Sequence, residues 1–163
     1  MVEMLGVRDE VRVLSVAPGS VQKAALLRRF QRVEPLLFDR DLEGAAIYRL
    51  VRGGAVLGLA AVEPGLDLQA ALDVPSCGYS VDLLGAVVVL PGWRRRGLGR
   101  LFAQRLLELH PRLVCVAAVG TEGFWRALVP SMVVHPLDGE GCRFVSAEVA
   151  GHIGACCFCR RAA

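Results

Sequence analysis

Ala86-Val87-Val88-Val89-Leu90-Pro91-Gly92-Trp93-Arg94-Arg95-Arg96-Gly97-Leu98-Gly99-Arg100 is the stretch on which the rest of the chain turns. Its β-branched run favours extended backbone, and Pro91 ends that run because proline cannot donate to a sheet ladder. Beyond the glycines, Leu98, Leu101, Phe102, Leu106 and Leu109 recur at helical spacing, with Arg100, Gln104, Arg105 and Glu108 on the opposite side. Pro111 closes the helix. Residues 84–109 therefore read as a strand, a basic glycine turn and an amphipathic helix.

The turn has a physical use. The first four N–H groups of a helix lack internal partners, and the aligned peptide dipoles leave that end positive. Glycines admit a phosphate close to the backbone, and three arginines add charge around it. The expected occupant is an anion, a diphosphate in the first instance. The competing reading is a solvated basic turn that merely begins a core helix.

The whole chain bounds what such a turn serves. Its 163 residues suit one domain with a core that needs no staples. The hydrophobic share is 54%, yet no uninterrupted apolar run reaches membrane-spanning length, so no membrane association is expected. Acids at Glu3, Asp9 and Glu10 argue against a secretion signal and make the cytosol the expected compartment. A net charge of +3 is too small to indicate nucleic-acid binding by itself. Lys23 is the only lysine; arginine carries the remaining positive charge.

In chain order, residues 11–16 read as a strand ended by Pro18-Gly19, and Ser20 caps a helix reaching Val33, with Leu26, Leu27, Phe30 and Val33 on its apolar side. Residues 34–43 carry no clear pattern. Strands 45–52 and 55–62 flank Gly53-Gly54, a short-range hairpin signal. A long connection at 64–78, with a helical turn over 66–72, leads to a strand at 79–90. After the main helix come a buried strand at 113–119, a helix at 122–129 capped by Thr121, and a closing hairpin of 131–135 with 142–149. The succession is an α/β domain with a mixed sheet: antiparallel hairpins before and after one parallel crossover.

The central stretch also resembles a family. Arg94-Arg95-Arg96-Gly97-Leu98-Gly99 matches the Gln/Arg-x-x-Gly-x-Gly/Ala signature of the GCN5-related N-acetyltransferases (GNAT), and Val89-Leu90-Pro91 before it is similar to that family too. The resemblance extends over residues 11–149. It implies a GNAT-like fold, a mostly antiparallel sheet with a splayed parallel fourth and fifth strand. One such domain is expected at 1–150, and the cysteine-rich tail at 151–163 lies outside the resemblance. The resemblance implies acetyl-CoA as co-substrate, its pyrophosphate on Arg94, Arg95, Arg96, Gly97, Leu98, Gly99 and Arg100, and its pantetheine arm beside Val87, Val88 and Val89. A homodimer follows by analogy alone.

Acetyl transfer from a thioester to an amine needs a way to remove the amine's proton and an acid for the thiolate. The family's usual base on the fourth strand aligns with Leu83; Asp82 beside it is the first candidate, provided a bulge shifts the register. The family's tyrosine acid is replaced by Trp125 in Phe124-Trp125, and an indole N–H is a donor, not a proton acid near neutrality. The competing reading makes both rings packing residues. His135 is the second candidate base, and Cys77 with Tyr79 would line the acceptor mouth.

Six cysteines, at 77, 115, 142, 156, 157 and 159, are expected as free thiols, with Cys115 a small core hydrophobe. Cys157-Phe158-Cys159 is too tight for a zinc knuckle and no second pair follows, so no metal is expected.

The resulting expectation is an N-acetyltransferase that moves an acetyl group from acetyl-CoA to a primary amine by direct attack. The acceptor is a small molecule or a peptide or protein amine. The alternative is an acyl-CoA-binding or partner-binding module, weak or inactive in catalysis, on the same fold.

Overall fold

A computed structural model describes residues 10–35, 42–72, 74–117, 120–128, 131–136 and 142–160. Among the described residues seven strands form one sheet: β1 (Arg12–Val16), β2 (Ala46–Arg52), β3 (Ala55–Asp67), β4 (Ser80–Val89), β5 (Leu113–Val116), β6 (Met132–Pro136) and β7 (Cys142–Ser146), in the order β1-β2-β3-β4-β5-β7-β6. The helices are α1 (Val21–Val33), α2 (Leu68–Ala71), α3 (Leu98–Leu109), α4 (Glu122–Arg126), α5 (Ala147–Ala155) and α6 (Cys157–Arg160). β4 and β5 run parallel; β5 with β7 and β6 with β7 run antiparallel. The chain falls into two compact units, Met1–Ala61 with Ala86–Phe102, and Val62–Gly85 with Ala103–Ala163.

In the first unit, β1 and β2 pair antiparallel. β3 follows β2 across Gly53 and Gly54, which sit at φ 55° and 84° as a two-residue reversal requires. Ser20 caps α1 by accepting from the Lys23 amide at 3.1 Å. The helix buries Leu26 and Phe30 against Ile47, Leu59 and Val88; each such side chain contributes roughly 1.5–3 kcal/mol by leaving water. Leu27 and Val33 are only partly buried.

A residue outside the apolar stripe is buried with it. Lys23, the sole lysine, is only 6% exposed, and its Nζ donates to the carbonyls of Glu43 and Ala45 at 2.9 and 3.0 Å. These bonds compensate the desolvation of the ammonium and tie α1 to the start of β2. Most of residues 34–43, which the sequence left without a pattern, lie outside the described residues.

In the second unit several boundaries differ from the sequence-based reading; β5 ends at Val116 and α4 at Arg126, short of the expected 119 and 129. The third strand does not stop at 62 but continues to Asp67 through Pro64-Gly65. Asp82 Oδ1 accepts the Gly65 amide at 3.0 Å, a side chain taking a bond that the breaker pair would have forfeited. The expected helical turn shortens to α2, capped by Asp67 accepting from the Gln69 amide. The last strand ends at Ser146 rather than 149, because Ser146 Oγ accepts from the Val149 amide and starts α5. The turn joining β6 to β7 lies outside the described residues, as do residues 118 and 119 at the expected end of the fifth strand. α5 packs Val149 onto Leu68, Val81, Val114 and Val145.

Within α3 the buried stripe is Phe102, Ala103 and Leu106, while Leu109 is 54% exposed. Arg100, Gln104, Arg105 and Glu108 are exposed as their polarity requires.

Candidate functional site

The turn that follows β4 is shaped by its own residues. Pro91–Trp93 make one tight helical turn, closed by Arg94 N–H donating to the Pro91 carbonyl at 3.3 Å. Arg95 then adopts φ 60° and Gly97 φ 75°, two left-handed residues within three positions. A side chain at Gly97 would meet nothing within 4 Å, so the glycine is required by backbone conformation rather than by space. The first bond of α3 joins the Leu101 amide to the Gly97 carbonyl at 3.1 Å, which leaves the Leu98, Gly99 and Arg100 amides at the helix start as donors for a ligand.

The arginines divide the work. Arg94 Nε donates to the Val89 carbonyl at 2.9 Å, and its Nη2 pairs with Glu34 Oε1 at 2.9 Å. Its guanidinium thus braces the turn against the end of β4 and the end of α1. Arg96 lies over the Trp93 ring at 5.1 Å from its centroid. Arg95 and Arg100 are exposed.

β4 neighbours β3 in the sheet, and just before the turn Leu90 N–H donates to the Leu57 carbonyl at 2.8 Å. Gly58 makes that approach close: a Cβ there would stand 2.7 Å from the Val88 carbonyl and 3.4 Å from the Phe102 ring. The ladder of β4 with β5 consists of Asp82, Leu83 and Leu84 opposite Leu113, Val114 and Cys115, and β4 continues to Val89 beyond it. Val88 is buried, Val87 and Val89 partly so.

Asp82 stands at the start of the β4–β5 ladder. The ladder's three pairs, Asp82 with Leu113, Leu83 with Val114 and Leu84 with Cys115, run one for one. Leu83 packs against the second unit's core, and both carboxylate oxygens of Asp82 are engaged, Oδ1 by the Gly65 amide and Oδ2 by His110 Nδ1 at 2.7 Å. His135 stands on β6 opposite Arg143, and burial lowers its imidazole from the ordinary value, favouring the neutral ring. The structure does not bring Asp82 and His135 together.

Trp125 is 5% exposed, its ring 6.3 Å from that of Phe144 and edge-on to Phe124 at 4.9 Å; Phe124 is on the surface. Only the tryptophan packs α4 down. Tyr79 stacks on His152 with centroids 3.7 Å apart, and Cys77 Sγ lies 3.4 Å from His152 Nε2. These two residues, expected at an acceptor mouth, face α5 instead. Cys115 is buried in β5 as expected, and burial pushes its thiol well up.

No family sequence model matches the chain, and no curated protein matches it in sequence. Solved structures do match in fold. An aminoglycoside acetyltransferase from an uncultured soil metagenomic sample, in complex with sisomicin, superimposes with a TM-score of 0.56 at 12% identity over 80% of this chain and 94% of that one. The fold is that of the GNAT acetyltransferases. A GNAT-family acetyltransferase from Streptococcus agalactiae gives 0.55 at 17% identity over 83% and 93% of the two chains. The N-acetyltransferase YlbP of Bacillus subtilis, in complex with coenzyme A, gives 0.55 at 14% over 86% and 97%. Among the described residues no helix of this GNAT fold is long and apolar enough to cross a membrane.

Proposed function

We propose that the chain is an acyl-CoA-dependent N-acetyltransferase, moving the acetyl group of acetyl-CoA to a primary amine by direct attack. The observation that carries this reading is the turn after β4: left-handed Arg95 and Gly97, the first amides of α3 ahead of the Leu101–Gly97 bond, and Arg94 bracing them from behind. The structure of YlbP, similar in fold, is a complex with coenzyme A, which supports placing the coenzyme pyrophosphate on Gly97, Leu98, Gly99 and Arg100. Val87, Val88 and Val89 lead into that turn and would run beside the pantetheine arm.

In this mechanism the protein supplies position more than proton transfer. Holding amine and thioester in attack geometry can supply roughly 7–11 kcal/mol of the barrier. Trp125, buried where the family's tyrosine is expected, offers no acid. Water then receives the amine proton and protonates the leaving thiolate. The acceptor class is an amine, as with the sisomicin-bound neighbour of similar fold.

The occupied carboxylate of Asp82 and the buried Trp125 favour a second reading, an acyl-CoA-binding module with little turnover. Coenzyme A release measured over a broad panel of amines separates the two: turnover on any amine supports the enzyme, while tight acetyl-CoA binding without release supports the module. Replacing Gly97 and Gly99 together by valine should abolish acetyl-CoA binding in a folded protein; unchanged affinity would overturn both readings.

A further inference from the structure

Four side chains that the transfer reaction leaves unused meet at one point in the second unit. Cys77 comes from the segment between α2 and β4, His152 from α5, Cys156 from the junction of α5 and α6, and Cys159 from α6. Their ligand atoms, three sulfurs and one imidazole nitrogen, all lie within 4.8 Å of one another. We propose that Cys77, His152, Cys156 and Cys159 bind one zinc ion in a closed Cys3His site that staples the two C-terminal helices to the segment before β4.

Two of the separations match the edges of a tetrahedron around a metal, and no pair of the four atoms exceeds 4.8 Å. Zn–S bonds of about 2.3 Å and Zn–N bonds of about 2.0–2.1 Å imply sulfur–sulfur edges of about 3.8 Å and sulfur–nitrogen edges of about 3.6 Å. The Cys77 and Cys159 sulfurs are 3.9 Å apart, and Cys77 Sγ is 3.4 Å from His152 Nε2. A disulfide would require about 2.05 Å between sulfurs and would use only two of the three thiols. Three soft thiolates and one imidazole in a tetrahedral array select zinc among the common divalent ions.

The surroundings fit a structural site. Four protein ligands leave no open position for substrate or water, so the ion takes no part in acetyl transfer. Tyr79, two residues after one ligand, stacks on the His152 ring at an interplanar angle of 11° and fixes the plane from which Nε2 projects. Cys159 is 2% exposed and belongs to the same apolar cluster as Val81 and Val149. α6 is four residues long, far too short to hold itself together in water. A metal joining its Cys159 to α5 and to Cys77 supplies the missing constraint. Loading exchanges three thiol protons for one Zn(II), with no change of oxidation state.

The expectation of no metal rested on Cys157 and Cys159, one residue apart. The pair that converges is Cys156-x2-Cys159, preceded by His152 at x3, and Cys157 is exposed. That exposed neighbour provides the control.

The test is the metal content of the full chain, purified without chelator, reduced, incubated with excess Zn(II) and desalted. One zinc per chain is expected, and Co(II) in its place should give the intense ligand-field absorption of a tetrahedral thiolate site. Cys77→Ser and Cys159→Ser should lose the ion, and Cys157→Ser should keep it. Either of two results overturns the site: no zinc on the native chain, or equal zinc retention by Cys157→Ser and Cys159→Ser. The measurement on the native chain decides the matter even where a variant fails to fold.

Discussion

His110 Nδ1 lies 2.7 Å from Asp82 Oδ2, which fastens the residue after α3 to β4. The same carboxylate holds the Gly65 amide with its other oxygen, so one aspartate secures β3 and the end of α3 at once. Asp82→Asn keeps the shape but weakens both bonds. The expected cost is about 1–3 kcal/mol of stability, as for removal of one partner from a partly buried hydrogen bond. Acetyl-CoA affinity and turnover should stay unchanged. Urea unfolding and steady-state kinetics check this; a general base would instead lose roughly 10²–10⁴-fold in rate with little change in unfolding.

Arg94→Lys tests the brace behind the turn. A lysine has one point charge and cannot reach the Val89 carbonyl and Glu34 in two directions as the guanidinium does. The pair is exposed, 45% and 38% for its side chains, so stability should fall by no more than about 1 kcal/mol. Acetyl-CoA binding should weaken out of proportion to that loss. Calorimetric titration beside a thermal melt measures the two effects separately.

Gly58→Ala addresses the close approach of β3 to β4. The added methyl would meet the Val88 carbonyl at 2.7 Å, and backbone cannot turn aside as a side chain can. A loss of about 1–3 kcal/mol is expected from overpacking, read as a lower denaturant midpoint with unchanged slope. Because Val88 lies just before the turn, acetyl-CoA affinity should fall as well.

His135 gives a pH dependence. Burial lowers its folded-state value below the ordinary 6.5, so between those two values the unfolded chain binds more protons than the folded one. Stability is therefore fully present above the unfolded value and declines as pH falls through the window beneath it. His135→Gln should flatten that part of the stability–pH curve, with the rest unchanged. Chemical unfolding of both proteins at a series of mildly acidic pH values is the measurement.

Features carried by short-range chemistry were legible in the sequence. Proline ends a β-branched run at Pro91, Ser20 caps α1, Gly53 and Gly54 reverse the chain, and the glycine turn opens a helix, because each depends on residues a few positions apart. The stretch proposed to hold the coenzyme is of just this kind, so its residues could be proposed from the sequence alone. Tertiary structure settled what depends on distant partners. Pro64-Gly65 looks like a strand end until the Asp82 side chain accepts the Gly65 amide. Lys23 looks like a surface residue until two carbonyls about twenty positions away accept its bonds. The cysteines of the tail look unmatched until Cys77 arrives beside His152 from 75 residues upstream. A sequence states which local conformations are cheap; only the packed chain states which distant polar groups have replaced water for one another.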